Sequence, residues 1–203
     1  MPDHTTLITA RRAGLALLCA SGLALAACSG EAPNDAGTAT AGVEADTAVL
    51  EPSSQSVPEL LENADGMQTV AEALKQTGLA GIFKGNGSYT LLAPDDATFR
   101  ALGDSGKALT EGDDNAALAA LLKEHMLPGY VSLQDIGNAI DQSKDGSVTM
   151  PSLGGDALTF ARSGGAITIT SPDGATATID GDPLAGGESV AIPVSGLLRE
   201  VAS

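Results

Sequence analysis

Tryptophan is absent from this 203-residue chain, which has only three Phe and two Tyr. Any core must therefore be filled by Leu, Ile, Val and Ala. Cysteine is nearly as scarce: Cys19 and Cys28 are the whole complement, both near the start. Whatever folds after them does so without a disulfide and without thiolate chemistry. Basic residues are few, ten Lys and Arg against 26 Asp and Glu, giving a net charge of −16 and a pI near 4.1. No basic stripe exists to neutralise phosphates, which excludes nucleic-acid binding. Charge alone gives no attraction to anionic lipid either. Acidity of this kind serves to keep an extracytoplasmic protein soluble.

Catalytic and metal-binding patterns are missing in the same way. His125 is the sole histidine outside the leader, and the carboxylates are scattered through turns, so no ligand spacing for a metal is present. Asp180-Gly181-Asp182 has acids for a weak Ca²⁺ loop but lacks the EF-hand continuation, and its acids are read as satisfying turns. Ser163-Gly164-Gly165 and Ser195-Gly196 are not strand–nucleophile–helix elbows, and no G-x-S-x-G occurs. Gly85-Asn86-Gly87 lacks the Lys-Ser/Thr and helix of a phosphate loop. The expectation is a protein with no cofactor, no metal and no enzyme activity.

What is present begins with an address. Arg11 and Arg12 form a positive n-region, and the apolar run Ala13 to Ala27 has the length of a signal core, short of the ~20 residues a spanning helix needs. Leu25-Ala26-Ala27-Cys28 resembles a bacterial lipoprotein cleavage box, with small residues before the cut and a thiol at the new N-terminus to take lipid. Residues 1–27 are thus read as a signal peptide and Cys28 as the lipidation site. Ser29 at the following position resembles the outer-membrane sorting pattern of lipoproteins in two-membraned bacteria. Residues 28–56 are mostly Gly, Ala, Ser, Thr, Pro and acid, with Val43, Val49 and Leu50 as the only branched apolar side chains, a composition that cannot repay its ordering entropy. As a flexible coil such a tether spans about 30 Å, at roughly 5–6 Å times the square root of its length. The folded part is expected over 57–203.

In that part, Val57-Pro58-Glu59-Leu60-Leu61 opens a helix. Met67, Val70, Ala71 and Leu74 recur at i, i+3, i+4 and i+7, an amphipathic helix stopped by Gly78. Leu79, Ile82 and Phe83 form a small apolar cluster. Tyr89 to Leu92 is a strand ended by Pro94, and Asp95 or Asp96 caps a helix carrying Phe99 and Leu102. Gly103-Asp104-Ser105-Gly106-Lys107 reads as turn chemistry. A further helix, capped by Asp113 or Asp114, carries Leu118, Leu121, Leu122, His125 and Met126 and is terminated by Pro128-Gly129. Ser132 to Ile136 reads as one helical turn with Ser132 as cap.

After about Gly137 the period changes from 3.6 to 2. Short strands are expected at 147–150, Leu153, 157–160, 166–170, 176–180 and 190–192, separated by Gly/Asp/Ser turns. Their many Thr residues alternate with apolar ones but bury little apiece. Leu197-Leu198 is expected to return as a strand beside the start of the domain. Helices first and antiparallel strands later, around one core, is an α+β plan.

The corner Tyr89-Thr90-Leu91-Leu92-Ala93-Pro94-Asp95-Asp96-Ala97-Thr98-Phe99 resembles the first box of the fasciclin (FAS1) domain: a short strand, Ala-Pro, an acidic or polar pair, an Ala-x-Phe helix start. Leu121-Leu122-Lys123-Glu124-His125-Met126-Leu127-Pro128-Gly129 resembles the second box, in the right order. The resemblance covers roughly residues 57–200. It implies a single FAS1-like α+β domain with N-terminal helices packed on a wedge of short, mostly antiparallel strands, and an adhesion or protein-interaction role. It marks Pro94, Asp95, Asp96, Phe99, Glu124, His125, Pro128 and Gly129 as the family-motif residues. FAS1 domains commonly carry a Tyr-His pair, associated in some animal members with integrin-dependent adhesion. Here Glu124 stands at the Tyr position and His125 matches, so His125 is expected as a hydrogen-bonded core residue tying its helix to the Asp95/Asp96 corner.

In the last box, Gly187-Glu188, Ala191 and Val194 replace the usual Asn-Gly pair, His and acid, and Pro193 interrupts the strand. A bulged or edge strand is expected there.

Together these features describe a lipid-anchored, non-catalytic module outside the cytoplasm, at the outer membrane. Its expected partners are membrane lipid through the acylated N-terminus and a protein or surface glycan. The alternative is a small-ligand or polysaccharide-binding lipoprotein, which an apolar or polar cleft would mark.

Overall fold

Two strands about a hundred residues apart in the chain lie side by side at the centre of the molecule. In the computed structural model, which describes residues 52–112 and 115–201, β1 (Tyr89–Pro94) pairs in parallel with β8 (Ser189–Ser195), Leu92 opposite Ile192. Their apolar runs are nearly continuous because a strand buried on both faces has no solvent side to fill with polar residues. The segment expected as a signal peptide, Cys28, the greater part of the expected tether and the expected Asp113/Asp114 cap lie outside the described residues.

Around that pair the sheet runs β2-β1-β8-β6-β5-β4-β3, with β2 at Met126–Pro128, β3 at Ser147–Pro151, β4 at Ala157–Ser163, β5 at Ala166–Thr170 and β6 at Thr176–Ile179. A three-residue strand, β7 (Leu184–Gly186), also pairs with β8. All pairings other than β1–β8 are antiparallel. This is the expected mix of helices and mostly antiparallel strands, with the helices concentrated toward the N-terminus.

The core is divided in two by the sheet. On one face Leu91, Ala93 and Ala191 meet α1 (Val57–Asn63), α2 (Gln68–Gln76) and a helix at Asn115–Glu124, through Leu61, Val70, Leu74, Leu118 and Leu122. Phe99, 4% exposed, belongs to this half. On the other face Leu92, Leu127, Leu158, Phe160, Ile169 and Ile192 pack with Ile136 and Ile140. The single core expected from the order of elements is thus two, because β1 and β8 alternate apolar residues to both sides.

Several elements differ from the pattern reading, each for a tertiary reason. Gly103 to Lys107 is not all turn: α3 (Asp96–Ala101) is followed by a second helix, α4 (Asp104–Glu111), with only Leu102 and Gly103, the latter at φ 59°, between them. Gly106 is buried there as a contact glycine, since a methyl group at that position would overlap the Phe99 carbonyl oxygen. The next helix, α5 (Asn115–Glu124), stops at Glu124 rather than at Pro128-Gly129, and Met126 lies in β2. Pairing with β1 prevails over helical period: Leu91 faces Met126, and Leu92 donates its N–H to the His125 carbonyl at 2.8 Å.

The single turn expected at Ser132 is a ten-residue helix, α6 (Leu133–Gln142), held by a reciprocal cap in which Ser132 and Asp135 exchange bonds. Gly137 is inside it, so the change of period comes later than expected. A two-pronged ion pair, Arg162 to Asp141 at 2.8 and 2.9 Å, joins α6 to β4. Leu153 lies in the β3–β4 turn, 37% exposed, outside any strand.

Leu197-Leu198 is not a strand either; the strand that returns beside β1 is β8. Pro193 sits within that central strand, neither bulged nor on an edge. β1 takes one edge of β8 from Val190 to Val194, so β6 and β7 share the other. The named pairs of β6 reach Val194 and those of β7 stop at Ala191, leaving Pro193 opposite Asp180 at their junction. Its carbonyl accepts from the Asp180 N–H at 3.0 Å, and only the reciprocal bond, from an N–H that proline lacks, is missing from that pair.

At the start of the domain, backbone pairing is already present at Ser53, ahead of Val57: Ser53 donates to Ala185 and accepts from Gly187, both at 3.0 Å.

Candidate functional site

The motif residues gather at two places. The first is the corner after β1, where a strand runs directly into α3. Pro94 is buried and remains part of the strand, opposite Val194. Asp95 has extended backbone angles and its carboxylate accepts the Thr98 N–H at 2.6 Å, the N-cap of α3. Asp96 does something different. Its carboxylate accepts the N–H of Thr69 at 2.8 Å, in the first turn of α2, while its own N–H donates to Gly66. The residue at the N-cap position of α2 is Met67, which has no side chain able to do this. Asp96 therefore caps a helix through an N–H 27 positions earlier in the chain, and two adjacent acids that look interchangeable in sequence start two separate helices.

The second place is the C-terminal end of α5. His125 is fully buried. Nδ1 lies 2.8 Å from the Leu121 carbonyl, and Nε2 lies 3.0 Å from the backbone N–H of Leu198. The second contact requires Nε2 to accept, so the proton is on Nδ1 and the ring is neutral. Burial, opposed by the weaker pull of the Leu121 carbonyl, lowers its pKa to about 4. The histidine thus holds α5 to the C-terminal segment and not to the Asp95/Asp96 corner. The corner's link to that segment is separate, through Thr98 Oγ1, which accepts from the Gly196 N–H at 2.9 Å.

Glu124 is 5% exposed. A carboxylate in the last turn of a helix lies at the negative end of its dipole, and burial adds to the cost. Two groups offset this. The Ser152 hydroxyl donates to Oε2 at 2.8 Å, and the half-exposed Arg199 guanidinium is 4.0 Å from Oε1. Space for the carboxylate exists because residue 154 is glycine: a methyl group there would overlap it. The β3–β4 turn is in turn fixed on α5 by Gly154, whose N–H donates to Lys123 at 3.0 Å, and Leu153, which donates to Met126 at 2.7 Å. The first bond satisfies a carbonyl that the end of α5 leaves open, and the second a carbonyl of β2.

Pro128 closes β2 opposite Tyr89, and Gly129 has φ 91°, a conformation few other residues accept. The Gly129 N–H donates to Ser88, and its carbonyl accepts the Thr90 hydroxyl at 2.8 Å.

Of the motif residues, Glu124, His125, Pro128 and Gly129 surround the end of α5 and β2, while Pro94, Asp95, Asp96 and Phe99 form the other corner. Sequence reasoning did not find Ser152, Gly154, Leu198 or Arg199. No local pattern points to them, since each acts only through the fold; a Gly-Gly pair in a hairpin turn was the one available signal for Gly154. As chemistry, the site is a set of satisfied buried groups. A histidine with both nitrogens engaged by protein cannot take a proton from a substrate. Among the described residues, no group of three His, Cys, Asp or Glu side chains is placed to hold a metal ion. An open depression lined by Leu109, Ala120, Leu121 and Val201 lies nearby, between α4, α5 and the C-terminal residues.

Comparison with known proteins agrees with this geometry. The family model of the Fasciclin domain matches residues 65–186. Among solved structures, a FAS1 domain pair from the insect cell adhesion molecule Fasciclin I superposes with a TM-score of 0.61 at 15% identity, covering 72% of this chain. The alignment spans about half, 51%, of that two-domain chain. No curated protein matches.

Proposed function

The chain belongs to the fasciclin domain family, and from that premise we propose that it is a membrane-anchored, non-catalytic adhesion or protein-interaction module of a bacterial envelope. The observation that carries the non-catalytic reading is His125, whose two nitrogens are both spent on backbone groups inside the protein. The anchor rests on the lipoprotein-like box ending at Cys28 and on the acidic, apolar-poor stretch after it. A diacyl or triacyl N-terminus holds stably where a single chain holds only marginally, each buried CH₂ contributing about 0.8 kcal/mol. The domain then stands off the outer membrane on its leash and meets a partner there. Replacement of the usual Tyr by a buried Glu124 means the partner contact is not the animal Tyr-His one.

Radiolabelled palmitate tests the anchor: the chain takes up label and the Cys28→Ala variant does not. Equal labelling of both would overturn lipidation at Cys28. Affinity capture from membranes with the acylated full chain tests the interaction role, which fails if no protein is enriched over a surface-charge variant.

A further inference from the structure

The face of the sheet that bears α1, α2 and α5 is covered only at its β2-β1-β8 side. Across β6, β5, β4 and β3 the same face is open, and α6 covers the reverse side through Ile136 and Ile140. Register arranges the open side chains in rows. Thr149, Thr159, Thr170 and Thr176 face one another in sequence across four strands. One step along, Ala161, Thr168, Thr178 and Ser195 form a second row. Every position of β3–β6 on this face is Thr, Ser, Ala or Pro, whereas the reverse side is almost wholly Val, Met, Leu, Phe, Ile or Ala. No charged residue occurs on the open half-sheet, in a chain with 36 charged residues. Apart from a 3.5 Å contact between Thr149 and Thr159, its threonine hydroxyls are unused among the described residues.

From these rows we infer that the open half-sheet is a docking surface for a neutral, extended polysaccharide chain. The inference goes beyond the anchoring reading and does not depend on Cys28. Charge decides the first choice. A protein of net charge −16 repels polyanions as a whole and offers polycations its acidic loops, so an uncharged face suits an uncharged partner. Side-chain type decides the second. Protein interfaces are anchored by Trp, Tyr, Arg and buried aliphatics, with Ser and Thr under-represented among the residues that matter, and this face has none of those anchors. Shape decides the third. Strands about 4.8 Å apart present a hydroxyl–methyl pair per strand, but a twist of roughly 20–25° between neighbours prevents a match to a rigid crystal plane. A single flexible glycan chain can follow that twist, its hydroxyls bonding to the threonine hydroxyls and its C–H faces lying on the methyl groups. Without aromatic stacking the binding is weak and the contact is spread over several sugars.

Native gel electrophoresis of the full chain in detergent, with hydroxyethyl cellulose in the gel, tests this. The acidic chain migrates well, and retardation against polymer concentration gives the affinity. Retardation is expected, with a loss of at least about tenfold in Thr168→Asp and Thr159→Asp, since each removes a hydroxyl that bonds the glycan and leaves an unpaired charge against it. Glu72→Lys, on the far side of α2, leaves the binding constant unchanged once the altered mobility is referenced to a polymer-free gel. Thr159→Val keeps strand propensity, and a parent-like melting temperature with reduced retardation separates the hydroxyl's role from folding. Unretarded parent protein overturns the proposal, as do aspartate variants retarded like the parent. Sedimentation showing a dimer that Thr168→Asp dissociates, without retardation by the polymer, assigns the face instead to a second copy. None of these results bears on palmitate uptake at Cys28.

Discussion

The backbone N–H of Leu198 donates to Nε2 of His125 at 3.0 Å, so a side chain just past the end of one helix holds the segment that follows β8. The bond exists only while the imidazole is neutral. Protonation would turn the acceptor into a second donor facing a donor, in a fully buried site.

Stability should therefore fall in mild acid. The pKa of His125 is lowered from 6.5 to about 4 in the folded protein, first by burial. A group whose folded pKa lies below its unfolded one binds fewer protons when folded, so unfolding free energy rises with pH between the two values. The contribution is complete above pH 6.5 and is lost as pH falls toward 4. Its size is about 3 kcal/mol, at 1.36 kcal/mol per unit. Asp135, Asp141 and Asp173, held below the usual carboxylate range by hydrogen bonds from Ser132, Arg162 and Ser171, act at more acid pH. Urea denaturation at pH 7, 5.5 and 4.5 should show the decline, and His125→Phe should be flat over that range. A slope unchanged by the substitution would assign it elsewhere.

His125→Phe should also lower stability at pH 7 by about 2–4 kcal/mol, because it leaves the Leu198 N–H and the Leu121 carbonyl buried without partners. Hydrogen exchange at Leu198 should accelerate beyond the global change.

Gly154→Ala should destabilise the domain by pressing on the Glu124 carboxylate. The cost should shrink in a Glu124→Ala background, where the methyl group has room. A double-mutant cycle measures this, and a coupling energy near zero would show that Glu124 swings aside freely.

Asp95→Ala and Asp96→Ala should each cost about 1 kcal/mol but expose different helices. Amide exchange should quicken at Thr98 in the first variant and at Thr69 in the second. Identical exchange patterns would contradict the division of labour between the two acids.

Gly106→Ala, in the interior of α4, would ordinarily add stability of up to about 1 kcal/mol from helix propensity. Here overlap with the Phe99 carbonyl oxygen reverses the sign, and its melting temperature should drop. Phe99→Ala should be worse, about 3–5 kcal/mol.

The sequence revealed whatever depends on neighbours in the chain. Val70, Ala71 and Leu74 mark α2, Asp95 marks α3, and the alternation of β4, β5 and β6 separates the threonine side from Phe160 and Ile169. Local pattern failed where distant contacts decide. Met126 continues the helical stripe of Leu118 and Leu122, yet β1 draws it into a strand. Gly106 reads as a turn residue because its packing partner, the Phe99 carbonyl, has no signature. Pro193 argued for an edge strand, and only the junction of β6 and β7 opposite it explains its central place. In the site, His125 and Glu124 were legible as family positions, but their partners Leu198, Ser152 and Gly154 lie far along the chain.

The parallel pairing of β1 with β8 has a kinetic consequence. The strand at the middle of the sheet follows every other described strand in chain order, and its contacts close loops of about a hundred residues. Such closure is costly in entropy and slows folding. A nascent chain ending before Ser189 would hold β1 and β6 with no shared neighbour between them, two unpaired edges waiting for a seam. Helices α1 to α5 can form early, but the domain cannot commit to its final topology until β8 has emerged.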